Sequence, residues 1–134
     1  MNLLRDIATM IVDNKICNEL DSDIFTHIKP KDPDNVVVLF EYKGSQVAQF
    51  TNTNVRSVQI LVRNKRNIEA SRLIWEIYDL IQQNGNIIMM IGNKVSLVTL
   101  RNTPFQIGVD DKGRYEWVLN LGITYNNKIE RNDV

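Results

Sequence analysis

The stretch VRSVQILVRNKRNIEASRLIWEIYDLI, residues 55–81, decides the fold, because a strand pattern passes directly into a helix pattern. Alternate residues at its start share one side of a strand: Val58, Ile60 and Val62. This predicts a strand from Val55 to Arg63 with one side on the core. Further on, one stripe of apolar residues recurs at helical spacing: Ala70, Leu73, Ile74, Ile77, Leu80 and Ile81. We expect Asn67 to cap this helix, Asn84-Gly85 to end it, and its stripe to cover the strand.

Upstream of this unit, the sequence predicts a helix, a strand and two loops. Apolar spacing predicts an amphipathic helix from Leu3 to Val12 that ends near Asp13-Asn14-Lys15. Two prolines and several turn residues predict a connecting loop from Leu20 to Asn35. The apolar run from Val36 to Tyr42 predicts a strand buried on both faces. The polar segment from Lys43 to Asn54 predicts a second, long loop.

Downstream of the unit, the pattern is that of hairpins. Two apolar runs, Ile87–Ile91 and Val95–Leu100, are joined by Gly92-Asn93, a dipeptide suited to a tight turn. A second hairpin turn is indicated at residues 110–113, DDKG. After it, apolar and polar residues alternate from Tyr115 to Asn126, which is the clearest strand signal in the chain.

The order of these elements predicts the fold class. Helix, two strands, helix and three strands favour an α+β fold, a mostly antiparallel sheet of about five strands with two helices packed on it. A length of 134 residues suits a single domain spanning residues 1–134. Residues 127–134 are polar, and we expect them to fray.

Composition narrows the functional class. Lys and Arg number 16 and Asp and Glu number 16, so no net charge draws the protein to nucleic acid or to an anionic membrane. No apolar run is long enough to span a bilayer, and the first turns carry charged residues, so we expect a cytoplasmic protein without a targeting segment. The single cysteine, Cys17, excludes an internal disulfide framework and a cysteine-based zinc site.

No residue pattern indicates catalysis, and we predict no catalytic residue, no cofactor and no metal. His27 is the only histidine and falls in a predicted loop, while Cys17 fits a small buried hydrophobe better than a nucleophile. Three acidic pairs lack the spaced ligands of a calcium loop, and turn chemistry explains them better: Asp21 with Asp23, Asp32 with Asp34, and Asp110 with Asp111. Glycine-rich phosphate loops are absent from the sequence.

A basic cluster marks the start of the second helix, where the helix dipole favours negative charge. It consists of Arg63, Lys65 and Arg66. One interpretation is that these long side chains extend into water. The other is that they pair with acidic groups on another molecule.

Several segments together resemble a known family. They are NVVVLFEYKG (residues 35–44), the stretch at 55–81, and TPFQIGVDDKGRYEWVLNLGITYN (residues 103–126). In this order they resemble the small minor capsid or tail-completion proteins of tailed bacteriophages, notably those of Gram-positive hosts. The resemblance extends from Asp34 to Asn126.

This resemblance implies a structural virion protein, a tail terminator or head-tail joining protein that caps the tail tube and joins it to the neck. Relatives of this kind form rings, commonly of six subunits. The implied partners are further copies of the chain, the tail tube protein and neck or connector proteins, with no membrane and no specific nucleic acid. The implied location is the virion, and the host cytoplasm during assembly.

The predicted interface combines two segments. Phe50, Thr51 and Asn54 belong to the polar loop, which we expect to be mobile until a neighbour binds it. The basic cluster supplies the other segment. The alternative function is a small module that binds protein or nucleic acid through the basic cluster, although zero net charge counts against nucleic acid.

Overall fold

Two α-helices and seven β-strands make up the part of the chain that the computed structural model describes, namely residues 3–48, 53–83, 88–91 and 94–126. The elements are α1 (Leu3–Asp13), β1 (Ile24–Thr26), β2 (Val36–Ala48), β3 (Thr53–Asn64), α2 (Asn67–Gln83), β4 (Ile88–Ile91), β5 (Lys94–Leu100), β6 (Phe105–Val109) and β7 (Tyr115–Asn126). The α+β class is confirmed, with two strands more than the predicted five.

The sheet is built around a long ladder between β3 and β7. Its strand order is β1-β2-β3-β7-β5-β4, and only the β1–β2 pair is parallel. The β3–β7 ladder runs without a register shift from Thr53 opposite Asn126 to Asn64 opposite Tyr115. On the other side of β7, β6 pairs with its first residues and β5 with its last residues. The β3–β7 ladder therefore fixes the position of every other strand.

Both helices cover one face of this sheet, the inner face. The α2 stripe packs with alternate residues of β3 and β7, all at most 1% exposed: Ala70, Ile74, Ile77, Ile81, Val58, Ile60, Val62, Leu119, Leu121 and Ile123. Helix α1 joins the same core beside β1, β2 and β4 through Leu3, Leu4, Ile7, Ala8 and Ile11. The predicted packing of α2 on β3 is confirmed.

The opposite, outer face of β3 is also buried, which corrects the prediction of a strand with one buried side. Ser57, Leu61 and Arg63 on that face are all at most 4% exposed. Leu61 lies opposite Val38 of β2 and Val118 of β7, and both of these are buried as well. Alternation along β3 therefore separates two buried faces, one apolar and one mixed.

The prediction of a long loop from Lys43 to Asn54 is wrong where the structure describes it. Strand β2 continues to Ala48 and β3 already begins at Thr53, so the segment forms most of a hairpin. A register shift between Tyr42 and Gln46 accommodates the extra residues. The segment is polar, yet its residues 46–48 pair with residues 53–55 of β3, which in turn pair with β7. Phe50 and Thr51 lie outside the described residues.

The helix ends differ from the prediction in detail. Helix α1 stops where expected, and Lys15 adopts the left-handed conformation there, with φ 63°. The Ile16 N–H donates to the Ile11 carbonyl and the Lys15 N–H to the Val12 carbonyl, which satisfies two free carbonyls of the last turn. At the start of α2, the side-chain oxygen of Asn64 accepts from the Arg66 N–H.

Asn67 does not cap α2 as predicted. It is the first residue of the helix, and its side-chain oxygen accepts a hydrogen bond from Trp117 Nε1 at 2.8 Å. This bond joins the helix to β7. The predicted turns at Asn84-Gly85 and Gly92-Asn93 and the tail at 127–134 lie outside the described residues, although β4 and β5 do form an antiparallel pair.

We predict that Ile77→Ala destabilises the protein by about 2–5 kcal/mol, because Ile77 is fully buried beneath α2 and the substitution leaves a cavity. The measurement is urea denaturation followed by circular dichroism. The matched control is Ile68→Ala on the same helix, where the side chain is 70% exposed and the change should stay within about 0.5 kcal/mol. Equal losses in the two variants would contradict this placement of α2.

Candidate interaction surfaces

A loop between β1 and β2 is held to the sheet by Arg63. The guanidinium is 1% exposed and donates to three loop carbonyls, from Nη1 to Pro30 at 2.7 Å, from Nη2 to Pro33 at 2.7 Å and from Nε to Asp34 at 3.1 Å. Burial lowers the pKa of the Arg63 guanidinium from its usual value, and the charge of Arg114 lowers it further. The Arg63 side chain therefore stabilises its own chain by holding this loop to β3.

Arg114 completes the attachment of this loop. Its Nη1 donates to the Lys31 carbonyl at 2.6 Å, and its Nε donates to Asp110 Oδ2 at 2.8 Å. Burial alone would raise the pKa of Asp110, but the backbone and guanidinium of Arg114 and the N–H of Lys112 lower it to about 2. The predicted turn at residues 110–113 is confirmed, and its first aspartate is a structural acceptor.

One of the three residues of the predicted basic cluster is buried, which corrects the prediction of an exposed cluster. Lys65 and Arg66 are exposed, whereas Arg63 is buried because the alternation of β3 directs it into the outer face, where loop carbonyls 29–33 residues upstream accept its hydrogen bonds. The exposed pair lies beside the same loop, since the Lys65 N–H donates to Asn35 Oδ1 at 2.9 Å. An interface role for Lys65 and Arg66 stays a prediction.

Further lysines surround this pair. A groove of about 440 Å³ between the loop and the β6–β7 turn is lined partly by Lys29, Lys31 and Lys112. Together with Lys65 and Arg66 they form what we call the basic end, whose exposed acids are Asp32 and Asp111. Lys29 also forms an ion pair with Glu116. The basic end carries a local excess of positive charge although the whole chain is neutral.

Of the predicted interface residues, Asn54 does not lie in one patch with the exposed Lys65 and Arg66. Asn54 is the second residue of β3, whereas Lys65 and Arg66 follow its last residue. At about 3.3 Å per residue, a strand places these positions roughly 30 Å apart. They therefore lie at opposite ends of the β3–β7 ladder.

The middle of the outer face carries an arginine that lies across three strands. Nη1 of Arg101 donates to Ser57 Oγ at 2.6 Å and to Tyr42 Oη at 3.0 Å. A Cβ at Gly122 would lie 2.8 Å from Arg101 Nη2, so the glycine leaves room for the guanidinium. Sequence reasoning missed this residue because its neighbours come from β2, β3 and β7.

An apolar edge was also missed. Strand β6 exposes Phe105 by 46%, Ile107 by 51% and Val109 by 52%. The sequence offered little signal for this strand, because it has five residues and includes Gly108, which weakens a strand pattern.

The residue types that could carry chemistry have structural surroundings. Cys17 belongs to the core, and burial, followed by the charges of Asp23 and Glu76, raises the pKa of its thiol to about 12. Asp23 accepts from the N–H groups of Asn18 and Glu19, as expected for turn chemistry. Within residues 3–48, 53–83, 88–91 and 94–126, no group of three His, Cys, Asp or Glu is placed to hold a metal, and no helix has the length and apolarity to cross a membrane.

The sequence also matches a known protein family. A sequence profile described as bacteriophage tail terminator protein matches residues 11–127, which is most of the chain. No curated protein matches the sequence.

We predict that Arg63→Ala destabilises the protein by about 3 kcal/mol, since three loop carbonyls lose their donor and each loss costs about 1 kcal/mol or more. Urea denaturation measures the loss. The matched control is Arg66→Ala, an exposed neighbour whose removal should stay within about 0.5 kcal/mol. Similar stability in both variants would show that Arg63 does not hold the loop.

Proposed function

Because the chain belongs to the bacteriophage tail terminator protein family, we propose that it caps the tail tube as a ring of identical copies and joins the tube to the neck. The protein is a structural component of the virion, not an enzyme. The match over residues 11–127 carries this proposal, since it includes helix α2 and all seven of the described strands.

The separation of the two predicted interface segments supports a bridging role. A protein that joins two assemblies needs contacts at two ends, and the hairpin end near Asn54 and the basic end near Lys65 lie at opposite ends of β3. The β3–β7 ladder between them is a regular twelve-residue pairing, which keeps their distance constant. We assign one end to the tube and the other to the neck, and we propose Phe50 and Thr51 as further contact residues.

The basic end favours an acidic partner. Five basic side chains, Lys29, Lys31, Lys65, Arg66 and Lys112, outnumber the exposed Asp32 and Asp111 there. Charge complementarity at such a surface accelerates association and fixes orientation. The partner at this end, on the tube or on the neck, is therefore expected to present carboxylates.

Ring formation on tubes tests the proposal directly. Purified protein is mixed with tail tubes and the tube ends are imaged by electron microscopy, while light scattering gives the mass of the free protein. The expected result is a ring at the tube end, containing a whole number of 15.5 kDa subunits. Tubes that stay uncapped while the protein remains a folded monomer would refute the proposed function.

We predict that the double variant Lys65→Glu with Arg66→Glu melts like the wild type but caps tubes less often. Exposed charges contribute little to stability, about 1 kcal/mol or less each, whereas opposed like charges at an interface weaken binding strongly. Calorimetry and counts of capped tubes measure the two effects. Lys15→Glu, an exposed lysine at the end of α1, is the control. Normal melting with normal capping would mean that Lys65 and Arg66 are simply solvated.

A further inference from the structure

The outer edge of β6 is an unusual surface for an isolated protein. The strand Phe105–Val109 pairs with β7 on one side, and none of the described strands pairs with its other side. Its sequence, FQIGV, contains no charged residue. Phe105, Ile107 and Val109 are each about half exposed. Among the described residues, backbone groups without a strand partner and apolar side chains therefore lie side by side along this edge.

Such an edge tends to pair with another chain. Soluble proteins usually block exposed edges with lysines, prolines or bulges, because a free edge recruits further strands. Strand β6 has no lysine and no proline. Its register shift between Gln106 and Gly108 leaves Ile107 without a partner on β7, and this side chain is 51% exposed. The irregularity thus adds an apolar side chain to the edge and supplies no charge.

A second free edge lies on the opposite side of the β3–β7 ladder. Strand β1 pairs with β2 only at residues 37–39, and none of the described strands pairs with the outer edge of β2 beyond Leu39. The last part of β2, Gly44–Ala48, also lacks charged residues. Among the described residues, the sheet therefore has two different unpaired edges, one on each side, and each is interrupted by a register shift.

We propose that β6 of one subunit pairs with the outer edge of β2, at residues 44–48, of a second copy of this chain. This inference rests on the proposed ring and names its subunit contact. A closed ring needs a heterologous contact, in which two different surfaces of each subunit meet. Edges on opposite sides of one sheet meet this need, because each copy offers both and the sheet continues from subunit to subunit. A contact between two β6 strands would instead give a closed dimer, because both subunits would use the same surface.

The first test places a charge on the β6 edge. Ile107→Lys should lower the fraction of ring at least tenfold at equal protein concentration, because the contact would then bury a lysine. The matched control is Ile68→Lys, an isoleucine that is 70% exposed at the start of α2 and should leave the ring intact. Calorimetry establishes that both variants are folded. Equal ring formation by the folded variants would overturn the proposal.

The second test is cross-linking, which does not depend on weakening the ring. The native Cys17 is buried and stays protonated at neutral pH, so introduced cysteines provide the reactive thiols. The double variant Ile107→Cys with Gln46→Cys should form a ladder of disulfide-linked species up to the full ring on a non-reducing gel. Gln46→Cys alone should form none. Dimers from Ile107→Cys alone would show a β6–β6 contact and overturn the proposal.

The outcomes separate this contact from the proposed function. If the wild-type protein caps tubes as a ring but the double cysteine variant gives no ladder, the β6–β2 contact is wrong and the proposed function stands. If the wild-type protein forms no ring, either alone or on tubes, both are wrong. A ladder together with loss of the ring in Ile107→Lys and its retention in Ile68→Lys supports both.

Discussion

The structure depends on how the charge of Arg63 is satisfied inside the protein. Strand β3 is buried on both faces, and an irregular loop, not a helix, lies at the outer face beside Arg63. An irregular segment brings carbonyl groups that no ladder satisfies, and a guanidinium with five donors can satisfy several at once. The three hydrogen bonds from Arg63 therefore satisfy both the buried guanidinium and the loop backbone. The guanidinium gains three acceptors, and the three loop carbonyls gain donors. Arg114 repeats the arrangement one strand away, with Asp110 supplying the negative charge.

The inner core could be predicted because its signals are local. The period of residues 55–81 and the alternation from Tyr115 identify which side chains of β3, α2 and β7 pack together. The same local rules failed where pairing with a strand distant in the sequence determines the secondary structure. Residues 43–48 read as a loop from their polarity, but pairing with β3 makes them a strand. Strand β1 has only three residues and exists because β2 pairs with it.

The candidate surfaces, too, could be predicted only where the signal is local in the sequence. Lys65 and Arg66 could be recognised as exposed basic residues because they follow a strand and precede a helix. The burial of Arg63 could not be recognised, since its acceptors are roughly thirty residues upstream and are backbone atoms, which leave no mark in the sequence. Arg101 and the β6 edge were missed for a related reason: their significance comes from the neighbouring strands. For a structural protein, whose function lies in its surfaces, topology is thus more informative than residue type.

The β3–β7 ladder has a consequence for biosynthesis. Its two strands are separated in the chain by α2 and three further strands, so the pairing is non-local, and such pairing forms slowly. During translation, β3 leaves the ribosome long before its partner, and the sheet can close only when the last strand has emerged. Strand β6 pairs with β7, so this pairing cannot form until β7 has been synthesised. A chain truncated before β7 therefore lacks the edge that we assign to ring assembly.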